Sequence, residues 1–332
     1  MESELSKIPE VNEESLIVYA RLWQLEKWLR EMVYIELKSK KGRNWINFNK
    51  TKKTYEADKK LQHMPTSDHS PLSYLTFSEL TNLIKNNWNL FSIYLPPLNL
   101  WEAKLEETKH IRDRIAHYRK GHSDDLVRLL QVMRDIDNGF WEFCTSYNDI
   151  NPVLPQDRDP VTKKYLELDP FAPKEISKNE WAVFGSVPPD MFFTVSVNVI
   201  KRKWAEDSET MDKVEGYLYD VRINMRKERQ FDYDSFLKQT KRSHSEFVHI
   251  CLDTFSTSLR VTIPAILGSE RIIKLVDELI ETTKYSFVSS HRINADDKYV
   301  QKISDKWPEY VLGPENPLTF LGPEMPCTFF NA

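Results

Sequence analysis

The chain has 332 residues, with 46 Lys and Arg against 50 Asp and Glu and a formal net charge of −4. Hydrophobic residues make up 40% and charged residues 29%, a foldable composition that excludes wholesale disorder. The slight acidity excludes a globally basic nucleic-acid binder, and the length argues for two domains. Glycine is scarce, at 8 residues, and neither G-x-G-x-x-G nor G-x-x-x-x-G-K-[ST] occurs, which excludes Gly-rich phosphate loops.

In chain order, the acidic N-terminus (Glu2, Glu4, Glu10, Glu13, Glu14) has the wrong charge for a signal or transit peptide. No run of ~18 apolar residues is present, so no membrane association is expected. Leu16, Tyr19, Leu22, Trp23, Leu25, Leu29, Met32, Val33 and Leu37 recur at helical steps and predict one long amphipathic helix. Lys38–Asn49 breaks that period, with Gly42 just past a basic last turn. Thr76-Phe77-Ser78-Glu79 has capping-box spacing and opens a second helix through Leu80, Leu83, Ile84, Trp88 and Phe91. After Pro96-Pro97, a third helix carries Trp101, Leu105, Thr108, Ile111 and Ile115. After Lys120-Gly121, a fourth carries Leu126, Leu129, Leu130, Met133, Ile136 and Phe140. Four long helices with short connections predict a helical bundle over residues 1–149.

Residues 150–180 hold Pro152, Pro155, Pro160, Pro170 and Pro173, and are predicted to be an extended linker or wrapping arm. Beyond it the period becomes two. Phe193, Val195, Val197 and Val199 alternate with polar residues, as do Tyr217–Met225 and Leu259–Ile263, and Phe247–Leu252 is a further strand candidate. Helices are predicted over Asp232–Arg242 and Ser269–Lys284. Residues 181–312 thus read as an α+β domain, and 313–332, with four prolines, as an irregular tail. The fold class is an all-α bundle followed by a mixed α+β domain. Cys144, Cys251 and Cys327 form no C-x-x-C and no even framework, which points to a reducing, cytoplasmic compartment.

The chemically richest segment is in the third helix. Lys109, Arg112, Arg114, Arg119 and Lys120 form a local positive patch within a half that balances 22 basic against 22 acidic residues, and such a patch suits a phosphodiester. Asp113 and His117 are four apart and share a helix face, a spacing that lets a carboxylate orient an imidazole. Arg112 offers a planar fork for phosphate oxygens. Arg112 and His117 are five apart, about 140° around an ideal helix, so two copies of the helix meeting in a dimer aim both at one phosphorus better than one copy does. His63 with His69, and His244 with His249, lack the i,i+4 pairing or Cys partners of a zinc site, so no metal and no cofactor is expected. Most tryptophans are assigned to the core, with Trp45 and Trp101 as candidates for stacking on bases.

Arg112-Asp113-Arg114-Ile115-Ala116-His117 resembles the Arg-polar-x-x-x-His motif of the HEPN superfamily of prokaryotic ribonucleases, most closely its abortive-infection and toxin-type members. The long first helix with Leu25–Glu31, the following Gly42–Trp45, the Ser70–Leu80 run and the motif's place in the penultimate helix are similar to that family too, over roughly residues 12–148. Asp113 stands where Asn is typical. Tyr118 directly follows His117, so the branch that modifies a Tyr two residues on is not matched. The resemblance implies a metal-independent endoribonuclease of antiphage defence or growth arrest that leaves a 2′,3′-cyclic phosphate. In it Arg112, His117 and Asp113 would be catalytic, and Lys109, Arg114, Arg119 and Lys120 RNA-binding. The expected partners are RNA, a second copy paired through the motif helices, and a protein or small-molecule trigger at the α+β domain. The alternative is a catalytically silent HEPN scaffold that binds RNA or a protein; a third reading makes the C-terminal half the active part.

Overall fold

The computed structural model describes residues 13–46, 49–61, 63, 70–149, 151, 153–154, 157–177, 180–289, 296–307 and 309–332. Glu2, Glu4, Glu10, His69, Pro152 and Pro155 lie outside the described residues. The chain divides into two compact units that do not follow its two halves. One comprises residues 1–34, 48–143 and 326–332; the other comprises 35–47 and 144–325.

The first unit is helical. Helix α1 (Glu13–Lys41) begins with Glu13 and Glu14 and ends on Lys38, Lys40 and Lys41, charges that suit its dipole at both ends. Gly42, at φ +58°, then provides the left-handed stop that a side chain resists. The buried stripe of α1 in this unit is Val18, Leu22, Leu25, Leu29, Met32 and Val33. Tyr19 and Trp23, expected on it, face outward instead, and Lys27 covers the Trp23 ring at 5.4 Å. The unpredicted helix α2 (Asn49–Asp58) follows. Helix α3 (Phe77–Asn86) opens with the expected capping box: Glu79 N–H donates to Thr76 Oγ1, and Thr76 N–H donates to Glu79 Oε2. Asn87 breaks the predicted run, so Trp88–Phe91 is a separate short turn, α4.

Helices α5 (Leu98–Ala116) and α6 (Asp125–Tyr147) carry the motif and its neighbour. Trp101, Leu105, Thr108 and Ile111 form the buried stripe of α5, while Leu129, Met133, Ile136 and Phe140 form that of α6. Gly139 lets α6 approach the chain closely, because a Cβ there would lie 1.7 Å from the Tyr94 carbonyl oxygen. The proline-rich tail has an unexpected role. Asp137 accepts the backbone N–H groups of Phe329 (2.9 Å) and Phe330 (2.7 Å), and Arg21 Nη1 donates to the Phe330 carbonyl at 2.7 Å. Phe330 is buried against Phe140, and Phe329 packs edge-on to Trp28. Phe330 is therefore part of the bundle's core, and Phe329 packs beside it.

The second unit is built on a five-stranded mixed sheet. Strands β3 (Phe193–Lys201), β4 (Tyr217–Met225), β7 (Ser258–Pro264) and β6 (Ile250–Leu252) pair antiparallel, and β9 (Val311–Leu312) adds parallel to β6. Period-two alternation places Val195, Val197, Val199, Tyr219, Val221, Ile223, Leu259, Val261 and Ile263 in one core with the stripe Ile272, Leu275, Val276 and Leu279 of a helix over Ser269–Tyr285. A short helix over Tyr233–Thr240 adds Phe236 and Leu237. Two small antiparallel ladders complete the sheets, β1 (Pro173–Ser177) with β2 (Glu180–Val183) and β5 (Arg229–Phe231) with β8 (Phe287–Ser289).

The described part of residues 150–180 is not an extended arm. Pro160 sits at the first position of a short helix over Pro160–Lys164, where its missing N–H costs nothing. Asp159 caps that helix, accepting from the Val161 and Thr162 N–H groups and from the Tyr219 hydroxyl at 2.8 Å. Val161 and Tyr165 are buried in the α+β core. Prolines here start elements rather than forbid them.

His244 is buried in an aromatic surround of Phe247, Trp307 and Tyr310, with Thr240 Oγ1 at 3.1 Å from Nε2. Burial, reinforced by Lys241, pushes its pKa down from 6.5 to about 4. The unfolded chain therefore binds a proton that the folded chain refuses between about pH 6.5 and 4. Stability that is full above pH 6.5 is lost as pH falls through that window, by on the order of 2–3 kcal/mol. His244→Phe is expected to flatten this limb of a urea-midpoint-versus-pH curve; an unchanged slope would show that the imidazole is not its source. Among the described residues no helix is long and apolar enough to cross a membrane.

Candidate active site

The motif occupies the last turn of α5 and the connection to α6. The helix closes in a Schellman arrangement: Arg119 N–H donates to the Arg114 carbonyl (2.9 Å) and Tyr118 N–H to that of Ile115 (3.1 Å). His117 is the C-cap residue, and Tyr118 takes the left-handed position at φ +55°. Glycine normally fills that position, because a side chain there costs about 1 kcal/mol. The Tyr118 side chain is 98% exposed and gains nothing from packing. Tyr118→Gly is expected to raise stability by about 1 kcal/mol in urea unfolding. A loss instead would mean that the ring makes contacts outside this chain's fold.

Arg112 and Asp113 are both partly exposed, and Arg112 Nη1 donates to Asp113 Oδ1 at 3.3 Å. The Asp113 carboxylate thus serves its neighbour, and no hydrogen bond joins it to the exposed His117 imidazole among the described residues. Arg114 is spent internally: its guanidinium makes a two-pronged ion pair with the buried carboxylate of Asp125, which also accepts the His122 N–H at 2.9 Å. Arg114 therefore ties the motif helix to the start of α6, in place of the phosphate contact expected of it. Lys109 leans on Glu106 at 3.6 Å. Arg119 and Lys120 are exposed, without an ion pair among the described residues. Nearby, Arg128 bridges Glu107 and Asp124; Arg128 first, and then His122, hold the Asp124 carboxyl below its ordinary value.

A recess of about 190 Å³ opens beside the connection, lined by Ser15, Val18, Ile115, Lys120 and His122 among others. Asp125, the anchor of this corner, was not singled out in the sequence, because a buried partner eleven residues from Arg114 follows no helical period. The stacking candidates are excluded: Trp45 and Trp101 are 6% and 1% exposed, so both are core residues. Cys144, Cys251 and Cys327 are free thiols. His244 and His249 are buried and hydrogen-bonded to Thr240 and Tyr147, and among the described residues no three His, Cys, Asp or Glu side chains are grouped to hold a metal ion.

HEPN domains are generally ribonucleases, and they commonly bind RNA and dimerise. Residues 21–138, from α1 into α6, match the family model described as Swt1-like HEPN, so this segment is a HEPN-domain segment. The C-terminal region adds mixed sheets and helices, making the chain α+β as a whole. No curated protein and no solved structure matches the chain.

Proposed function

We propose that the protein is an endoribonuclease that needs no metal, with Arg112 and His117 as its catalytic pair. One observation carries this reading: at the C-terminal end of α5 His117 is exposed and Arg112 partly exposed, and among the described residues the Arg112–Asp113 contact is the only one holding either side chain, while Arg114 is committed to the fold. The 2′-oxygen attacks the adjacent phosphorus, the P–O5′ bond breaks, and the products carry a 2′,3′-cyclic phosphate and a 5′-hydroxyl. An imidazole takes the 2′-hydroxyl proton and an imidazole returns one to the leaving 5′-oxygen. The Arg112 fork neutralises the charge that builds on the phosphoryl oxygens. DNA lacks the nucleophile. Because one helix turns the two side chains about 140° apart, the site is shared by two copies that pair their motif helices. Lys109, Arg119 and Lys120 track the RNA backbone. The enzyme acts in the cytoplasm, in antiphage defence or growth arrest, and the α+β unit restrains or directs it in response to a protein or small molecule.

The test is to incubate the full-length protein with single-stranded RNA, or with DNA of the same sequence, in EDTA and to map the ends. RNA cut to cyclic-phosphate ends with DNA intact is the expected outcome. An absolute requirement for Mg²⁺ would overturn the mechanism. A silent RNA- or protein-binding scaffold is favoured by one observation, the absence of a hydrogen bond between Asp113 and His117 among the described residues; it predicts RNA retention without cleavage.

A further inference from the structure

The register of the α+β sheet sets Arg222 opposite Arg260 and Asn224 opposite Ser258 on β4 and β7. Alternation turns these residues to the face opposite Val221, Ile223, Leu259 and Val261, away from the apolar core. The buried Asp220 carboxylate receives Arg260 Nε at 2.5 Å on one oxygen and Arg222 Nε at 2.8 Å on the other. Arg260 is engaged at every nitrogen, since Nη1 donates to the Asn148 side chain and to the Leu318 carbonyl (3.3 Å), and Nη2 to the Tyr147 carbonyl (2.6 Å). Arg222 is not. It is half-buried, its Nε is fixed, and its two terminal nitrogens have no partner among the described residues. Two guanidiniums against one carboxylate leave a positive charge at that fork, held in place by a rigid neighbour.

The fork lines a cavity of about 280 Å³ that runs between the ends of β4, β6 and β7 and the 314–320 segment. The other groups lining it are complementary. Asp253 gives one oxygen to the Thr257 N–H and hydroxyl (2.9 and 2.7 Å), and its second oxygen has no partner among the described residues. The same holds for the Asn224 amide and the Ser258 hydroxyl. Phe320, 51% exposed, supplies an aromatic wall. Convergent unmatched polar groups beside an apolar wall mark a small-ligand site, and this volume is at the small end of such sites.

We propose that this cavity binds a small organic anion of the nucleoside-monophosphate class. Its phosphate takes the Arg222 fork in the two-pronged geometry that guanidinium favours. Its planar ring stacks on Phe320, and its amino or hydroxyl donors reach Asp253. Inorganic phosphate alone would leave the ring wall and Asp253 unused, and a nucleoside alone would leave the fork unmatched. The site does not rest on the ribonuclease reading.

The experiment is calorimetric titration of the full-length protein with each of the four ribonucleoside 5′-monophosphates, with the parent nucleosides, and with inorganic phosphate. At least one monophosphate is expected to bind saturably, about tenfold or more tighter than its nucleoside or phosphate. Arg222→Gln, whose melting temperature should stay near wild type, is expected to lose that binding by about tenfold or more. Phe320→Ala should weaken the monophosphate while leaving phosphate unchanged. The Arg112→Ala/His117→Ala variant should bind as wild type. No saturable binding by any monophosphate, binding that survives both Arg222→Gln and Phe320→Ala, or binding lost in the motif variant would each overturn the proposal.

Discussion

Cleavage of RNA in EDTA is expected to fall by ~10²–10⁴-fold in His117→Ala, the usual contribution of a positioned acid–base group, and by a comparable factor in Arg112→Ala. Neither change threatens the fold, because both side chains are at least partly exposed and, among the described residues, no buried group is hydrogen-bonded to either. The informative step is to mix the two inactive proteins. If each phosphate is held by Arg112 of one copy and attacked with His117 of the other, a mixed dimer keeps one intact composite site, and random pairing restores about a quarter of wild-type activity. If both side chains act from one copy, every combination stays inactive. Full activity of His117→Ala alone would remove the imidazole from the mechanism altogether.

Much of the architecture was legible because it rests on local periods. The stripe of α5 and the Thr76–Glu79 capping box follow helical spacing, and the alternation in β3, β4 and β7 follows the pleat; each is dictated by residues close in sequence. What escaped depends on distant partners. Proline count suggested a linker at 150–180, yet Asp159 reaches the Tyr219 hydroxyl and Pro160 merely starts a helix. Phe329 and Phe330 look like tail residues until Asp137 and Arg21 hold their backbone. The same holds at the site. From type and spacing, Arg112, Arg114 and His117 look equally available. Only the buried Asp125 carboxylate distinguishes a structural arginine from one free to meet phosphate.

The units also interleave along the chain, since residues 35–47 belong with the α+β unit and 326–332 with the helical one. A fragment ending near residue 150 would therefore lack Phe329 and Phe330 and would retain Glu36 without its arginine, so regulation is better probed in the full chain.

Glu36 itself makes the largest stability prediction. Its carboxylate and the Arg202 guanidinium are both fully buried; Arg202 Nη2 donates at 2.5 Å, Nε lies 3.2 Å from both oxygens, and Trp204 Nε1 donates at 2.6 Å. Burying two charges costs nearly as much as their attraction returns, so the pair adds little net stability over apolar residues of similar size. Removing one partner is different, because the other is left charged and dry. Glu36→Ala is expected to destabilise the protein by about 3–5 kcal/mol, measured as a lowered urea midpoint with Trp fluorescence as the signal. Replacing both groups, as Glu36→Leu with Arg202→Met, should recover most of that loss. A single variant within about 1 kcal/mol of wild type would mean that water or a rearranged carboxylate reaches Arg202. A double variant no better than the single would mean that the loss comes from the Trp204 hydrogen bond and packing rather than from a stranded charge.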